Sequence, residues 1–418
     1  MEDLVVAGRL VGVRFYPRDR SIRRLAPAGI EFAPPRKEVS TGPGRHDFEI
    51  VADASLSVED DMRRRDFTIN AMARRLATGE LVDPLGGRRD LDERRLRTVS
   101  PTSFAEDPLR IVRALRFVSQ LGFDPDESTL QQMRDEAPAV KLISGERVGG
   151  GLVADGRGEL SKLLLGAHPG KALRIARDTG VLVQLLPEFE AAIGFEQESR
   201  YHSLTVDEHT FAVVQAAADR GYALPVRLAA LFHDLGKPHV AWRGTDDRLH
   251  YYAKRGYSDR SHEQVSSELA RSALLRLRYP NDLRDRVIRI VRYHMFQIGK
   301  GDAARARRFL AKHGDELAFQ LVDHKDADYR GKPGPGALAP VEDIEQLARF
   351  RKMLERERTQ PHRLADLAID GNDLIELGFQ PGPDLGRLLH DLLHDVVEDP
   401  ARNTRDVLLG LARAKLPR

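Results

Sequence analysis

One change of pattern constrains the fold of this chain more than any other feature. Up to about residue 100 the apolar residues gather in short β-branched and aromatic runs; beyond it they recur at helical spacing. Residues 5–15, 28–33 and 47–52 read as strands, with Glu38 to Arg45 a loop by its Ser-Thr-Gly-Pro-Gly composition. Leu81-Val82-Asp83-Pro84-Leu85-Gly86-Gly87 closes this unit with a turn. Leu109, Val112, Leu115 and Phe117 then form an apolar stripe with arginines on the other face. Gly149-Gly150-Gly151 interrupts the helical regime, which resumes from Ser161 to Leu186. Residues 205–330 are helix-rich, and Lys332-Pro333-Gly334-Pro335-Gly336 is a linker before a helical tail. The expected class is α+β: a small α/β head followed by an all-helical remainder. No period of 20–50 residues is present, which excludes a solenoid.

Composition narrows the chemistry. The chain has no cysteine, so disulfides, thiolate zinc sites and cysteine nucleophiles are excluded. No apolar run approaches the roughly 20 residues of a membrane-spanning helix. The first 15 residues lack a basic start and a small-residue cleavage site, so the cytoplasm is the expected compartment. Net charge is only +2, yet Arg63 to Arg116 holds 13 arginines against 8 acids. Such a patch can hold phosphates or simply be a solvated face.

Two constellations carry reactive groups. The first is Arg63-Arg64-Arg65-Asp66-Phe67-Thr68-Ile69-Asn70. Arg65 can neutralise phosphate, Asp66 can accept from ribose hydroxyls, and Asn70 can do either. Later, Glu106-Asp107-Pro108-Leu109-Arg110 opens a helix on which Arg110, Arg113 and Arg116 share a face. A carboxylate and a guanidinium one turn apart can read a base edge. The plain alternative is an N-capped amphipathic helix with a wet, basic side.

The second constellation is His209, His233-Asp234, His262, His294 and Asp328. His233 and Asp234 follow an apolar helix and precede Gly236; neutral imidazole plus carboxylate suits a divalent cation. Asp326 is the nearest rival to Asp328. With 14 histidines some apparent pattern arises by chance, and His202, His239, His250, His313, His362, His390 and His394 read as surface or packing residues. Trp242 is the single tryptophan, in a polar loop, and is either an RNA-stacking platform or partly buried.

Taken together, these stretches resemble the class II tRNA nucleotidyltransferase (CCA-adding) and poly(A) polymerase family. Arg64 to Ala71 is similar to its ribose motif, and Asp83-Pro84 through Asp90-Leu91 to its closing turn. Glu106 to Phe117 is similar to its amino-acid template for CTP and ATP, and Ser144-Gly145-Glu146-Arg147 to its neck motif. Asp370-Gly371-Asn372-Asp373-Leu374 with Gly378, Pro381 and Gly382 is similar to its carboxyl-terminal stretch. The His-Asp pattern resembles the HD phosphohydrolase superfamily, with His262 and His294 as the added ligands of binuclear members.

The resemblance implies a nucleotidyltransferase head over 1–97, a helical neck over 98–200, an HD-type metal domain over 201–331 and a helical tail over 332–418. It implies nucleotide binding by Arg65, Asp66, Asn70, Asp107, Arg110, Arg113 and Arg116. The second constellation would bind a divalent metal. tRNA, ATP and CTP would be partners, and no membrane is implied. One part is missing. The family's Gly-Gly-x-Val-Arg-Asp loop and its Asp-x-Asp pair for Mg2+ have no counterpart, and Glu31 alone matches an acidic position. Met1-Glu2-Asp3 aligns with the helix after that pair, so most Mg2+ ligands would lie upstream of Met1. Either the start is assigned too late, or the chain is a true truncation in which an HD phosphohydrolase or a non-catalytic RNA-binding role remains.

Overall fold

The computed structural model describes the strands within residues 2–52 as backbone, and residues 55–150, 158–198, 204–299, 302–332 and 341–415 in full. The chain has the expected α+β character. It divides into two compact units, one of residues 1–193 with 271–284 and one of 194–270 with 285–418.

The first unit opens with β1 (Glu2–Val6), β2 (Arg9–Phe15) and β3 (Ile30–Phe32) in one antiparallel sheet. β4 (Arg36–Ser40) pairs antiparallel with β5 (Phe48–Ala52). Three expectations are corrected here. Residues 5–15 are not one strand, because Glu2–Val6 and Arg9–Phe15 are two strands paired antiparallel with each other. Both halves are β-branched, so composition does not separate them. Glu2 and Asp3 lie in β1 rather than in a helix. Glu38–Ser40 belong to β4, where Val39 faces Glu49, instead of to a loop.

There follow α1 (Val58–Arg63), β6 (Ala73–Arg74), β7 (Leu81–Val82), α2 (Gly87–Asp92), β8 (Arg95–Leu96), α3 (Ser103–Glu106) and α4 (Leu109–Leu121). Ile111, Leu115 and Val118 on α4 are fully buried. Phe117 is only half-buried, so Val118 takes its place in the stripe. β9 (Asp124–Pro125), α5 (Glu127–Glu136), α6 (Gly145–Gly149), α7 (Glu159–Leu164), α8 (Pro169–Asp178) and α9 (Val181–Leu185) complete this run. Gly149 is required by close approach: a Cβ there would stand 2.0 Å from the Leu277 carbonyl oxygen.

The second unit contains α10 (Val206–Asp219), α11 (Leu224–Phe232) and α12 (Lys237–Val240), then the hairpin β10 (Trp242–Arg243) and β11 (Leu249–His250). α13 (His262–Arg276) and α14 (Asn281–Tyr293) come next, their residues 271–276 and 281–284 being assigned to the first unit. α15 (Ala303–His313), α16 (Asp315–Gly331) and α17 (Val341–Glu357) share a core around Leu310, Val322 and Phe350. The tail helices α18 (Gly371–Glu376), α19 (Pro383–Glu398) and α20 (Arg405–Arg413) share another around Leu374, Leu392 and Leu408. Asp370 caps α18 through the Asn372 and Asp373 amides, so the carboxyl-terminal stretch does structural work in this fold. No helix among the described residues is long and apolar enough to cross a membrane.

Candidate functional site

In the first unit, Ser57 and Asp60 form a capping box that starts α1. The chain then passes through Arg64-Arg65-Asp66 against the start of α4. Arg110 Nη2 donates to the Arg64 carbonyl at 2.8 Å, and its Nη1 donates to Ser103 Oγ at 3.0 Å. One turn on, Arg113 donates from Nε (2.8 Å) and Nη2 (2.6 Å) to Asp66 Oδ2. The other oxygen, Oδ1, accepts from the Phe67 amide at 3.0 Å and Asn70 Nδ2 at 3.1 Å. Burial acts to raise the Asp66 pKa, but the Arg113 charge and these donors outweigh it and hold the carboxyl below its ordinary value. Arg65 donates to the Asn70 carbonyl at 2.9 Å and pairs with Asp61.

Asn70 and Arg113 therefore meet at the ionised Asp66 carboxylate, while Arg65 and Arg110 hold the adjoining backbone at Asn70 and Arg64. Asp107 and Arg116 stand in pairs of their own. Asp107 Oδ1 accepts from the Leu109 amide at the helix start, and Oδ2 accepts from Arg147 at 3.0 Å. Arg116 lies 3.1 Å from Glu159 and 4.4 Å from the centroid of the Phe117 ring. The buried Glu159 also approaches Arg113 at 4.0 Å, and no spacing in the sequence marks it. The arginine excess is thus partly neutralised by acids outside the stretch that carries it. Glu31 lies on β3, with its side chain outside the described residues.

The closing turn secures this arrangement from beneath. Asp83 accepts from the Gly87 and Arg88 amides at 2.7 and 2.9 Å. Fully buried Asp90 accepts from Thr68 Oγ1 at 2.7 Å and Arg97 Nη2 at 2.8 Å. A Cβ on Gly87 would stand 2.1 Å from the Thr68 carbonyl oxygen. Gly87→Ala is therefore expected to cost about 1–3 kcal/mol by overpacking. Thermal unfolding reads this directly, and an unchanged midpoint would refute the tight contact.

In the second unit, five helical elements deliver the histidines and aspartates to one place. His209 comes from α10, and His233 and Asp234 from the end of α11. His262 opens α13, His294 follows α14, and Asp328 lies on α16. Each imidazole turns Nδ1 to a backbone carbonyl: His209 to Gly331 (3.3 Å), His233 to Ala230 (2.9 Å), His262 to Tyr251 (3.2 Å) and His294 to Val291 (2.7 Å). Their Nε2 atoms consequently face one another, 3.3 Å apart for His209 and His233 and 3.4 Å for His262 and His294. Carbonyl-tethered Nδ1–H groups leave the Nε2 lone pairs aimed inward, the arrangement a metal ligand requires. His209, His233 and Asp328 make one triad and Asp234, His262 and His294 another; the ligating atoms within each lie within 4.8 Å.

Burial is the largest influence on every group here. It lowers His209, His262 and His294, the last well below its ordinary value. It opposes protonation of His233 too, but the neighbouring Asp234 charge reverses the sign and raises it. Burial would raise both carboxyls, yet both are held well below the ordinary range. His233 and Lys237 do this for Asp234; Lys332 and His209 do it for Asp328. A set of mostly neutral imidazoles around two carboxylates suits a divalent cation.

Asp326, the rival to Asp328, pairs instead with Tyr222, Arg220 and Arg330 away from the cluster. His313 and His362 are buried packing residues, and His239, His390 and His394 are exposed. His202 lies outside the described residues. Trp242 is 7% exposed, which rules out its ring as an open stacking platform. One residue was missed. His324 is fully buried, neither ring nitrogen has a partner, and its ring packs against His233 and His294. Its place one turn before Asp328 on α16 is a signal that could have found it.

Residues 16–97 match the poly(A) polymerase head domain, 122–193 the probable RNA and SrmB-binding site of polymerase A, and 262–412 the putative tRNA nucleotidyltransferase domain 2. The multifunctional CCA protein of Herminiimonas arsenicoxydans is 32% identical over 401 residues, 93% of this chain and 86% of that protein. That of Leptothrix cholodnii is 36% identical over 415 residues, 96% and 90% of the two chains. Among solved structures, a Bacillus stearothermophilus CCA-adding enzyme in complex with CTP superposes with a TM-score of 0.66 at 23% identity, over 99% of this chain and 85% of that one. The last likeness speaks to the fold alone. With relatives this similar over nearly their full length, the chain belongs to the class II CCA-adding enzyme and poly(A) polymerase family of nucleotidyltransferases.

Proposed function

We propose that this protein adds CMP and AMP from CTP and ATP to the 3′ end of tRNA, in the cytoplasm, with head, neck, HD domain and tail at 1–97, 98–200, 201–331 and 332–418. The tRNA 3′ hydroxyl forms a bond to the α-phosphorus, and the bond to pyrophosphate breaks. Asp66, held ionised by Arg113, accepts from ribose hydroxyls, with Asn70 beside it. Arg65 and Arg113, which keep part of their surface open, neutralise phosphate. Asp107 and Arg110 present an acceptor and a donor to a base edge. Arg116 holds the same face through Glu159. The observation that carries this reading is the Asp66–Arg113 fork joined to Asn70 and Arg110.

Two Mg2+ ions, when bound, stabilise the developing charge on the attacking and leaving oxygens. Glu31 occupies the matching acidic position. Among the described residues of the first unit no three ligating side chains converge. The test is a tRNA lacking its terminal CCA, incubated with both triphosphates and Mg2+. Extension by CMP and AMP is expected; a tRNA of unchanged length would sink the reading.

The histidine cluster supports a second activity, hydrolysis of phosphoester ends such as 2′-phosphates or 2′,3′-cyclic phosphates. The inward Nε2 atoms favour it. A divalent metal there would polarise the phosphoester and acidify water. His209, His233 and Asp328 would hold one ion, and Asp234, His262 and His294 the other. Lys237, 2.6 Å from Asp234, balances charge beside them.

A further inference from the structure

Between Asp234 and His262 the chain makes an excursion, residues 241–261, built around Trp242. The Trp242 ring centroid lies 4.6 Å from those of both His250 and Tyr257, and Lys254 Nζ stands 4.4 Å from it. Trp242 Nε1 donates to the Tyr252 carbonyl at 3.1 Å. The buried indole thus organises the arm and leaves other rings at the surface: Tyr252 is 52% exposed and Tyr257 57%. Beside them Arg248, Lys254 and Arg255 are exposed. Arg248 and Arg255 make no side-chain ion pair among the described residues. From Trp242 to Arg260 the arm carries five Lys and Arg against three Asp.

The arm is wired to the histidine cluster through Tyr251. Its carbonyl accepts from the His262 amide at 2.8 Å and faces His262 Nδ1 at 3.2 Å. Its hydroxyl donates to the Gln197 carbonyl at 2.6 Å, and Gln197 Oε1 accepts from Lys237 Nζ at 2.6 Å. The residue that positions His262 is therefore the neighbour of the exposed Tyr252. Exposed aromatic faces interleaved with unpaired cations suit nucleobases and their phosphates, because every base has a face to stack and every linkage a negative charge. The one aliphatic side chain of the arm large enough to anchor a protein partner, Leu249, is half-buried.

We propose that Tyr252, Tyr257, Lys254 and Arg255 form a stacking surface for single-stranded RNA, which delivers a phosphorylated 3′ end to the histidine cluster. This rests on the reading of that cluster as a hydrolytic centre. The single tryptophan lies inside the arm, so its fluorescence reports on the arm alone. A short oligoadenylate carrying a 2′-phosphate on its 3′-terminal nucleotide, titrated into the chelated full chain, is expected to change the Trp242 emission saturably. Tyr252→Ala and Tyr257→Ala should each weaken that binding by about tenfold, with Tyr257→Phe restoring it. In the metal-loaded protein the double alanine variant should raise KM for release of phosphate from the same oligomer. A silent tryptophan, or a double variant that binds like wild type, overturns the proposal. A responsive tryptophan, lost in the double variant, with no phosphate released under any divalent ion, supports the RNA surface and removes the hydrolytic reading instead.

Discussion

Arg113→Glu is expected to abolish CTP and ATP binding. The substitution removes both donors to Asp66 Oδ2 and sets a third carboxylate near Asp66 and Glu159, both nearly buried. Removing one partner of a buried ion pair costs about 3–5 kcal/mol. The wild-type pair is partly open, since Arg113 keeps 32% of its side-chain exposure, so the lower end applies to stability. Binding is expected to suffer more, because the guanidinium that holds Asp66 is also the one proposed to meet phosphate. A loss of at least about a hundredfold in CTP affinity follows from one charge-assisted fork of about 1.5–3 kcal/mol plus the added repulsion. Arg113→Lys should recover only part, since an ammonium keeps the charge without the two-donor geometry. Calorimetric titration with CTP, run beside thermal unfolding, separates the two effects. Wild-type affinity in Arg113→Glu would remove the proposed role of the Asp66–Arg113 pair.

The second large effect concerns the histidine cluster, whose two triads predict separable losses. His209→Ala takes a ligand from the triad with Asp328, and His262→Ala takes one from the triad with Asp234. Elemental analysis of the loaded chain should show two ions falling to one in either single variant, and to none in the double variant. Chelation of the wild-type protein should lower its unfolding midpoint, because an ion bound to the folded chain stabilises it by about 4 kcal/mol at a thousandfold excess over Kd. Two ions retained in His262→Ala would rule out the second triad. A midpoint indifferent to chelation would rule out metal binding by the cluster altogether.

What the sequence disclosed depended on whether the information was local. The α4 stripe, the arginines three apart on its face, and the placement of His233-Asp234 beyond an apolar helix all follow from periodicity over a few residues. Choice of partner did not. Glu159 holds Arg116 from 43 residues away, and Asp90 holds Thr68 from 22 away, with no periodic relation to either. The turn at Asp83–Asp90 was legible as a turn, but its work of clamping Thr68 depends on a tertiary approach. The sequence leaves Trp242 between a stacking platform and burial for a related reason: a polar neighbourhood in sequence does not show that His250, Tyr252 and Tyr257 fold back over one ring. The break between β1 and β2 was hidden because both strands use the same residue types.

The order of the candidate metal ligands along the chain bears on how the second unit can assemble. Asp234, His262 and His294 fall wholly inside the interval bounded by His209 and Asp328. One triad is nested in the other, with His233 and Asp234 adjacent at the crossing. Closing a longer loop carries a greater entropic cost, although that cost grows only slowly with length. The inner set draws on the end of α11, on α13 and on the residue after α14, whereas the outer set draws on α10, the end of α11 and α16. An ion in the inner triad would therefore shorten the remaining search before α16 arrives. The outer triad would close last, as a checkpoint on the completed fold.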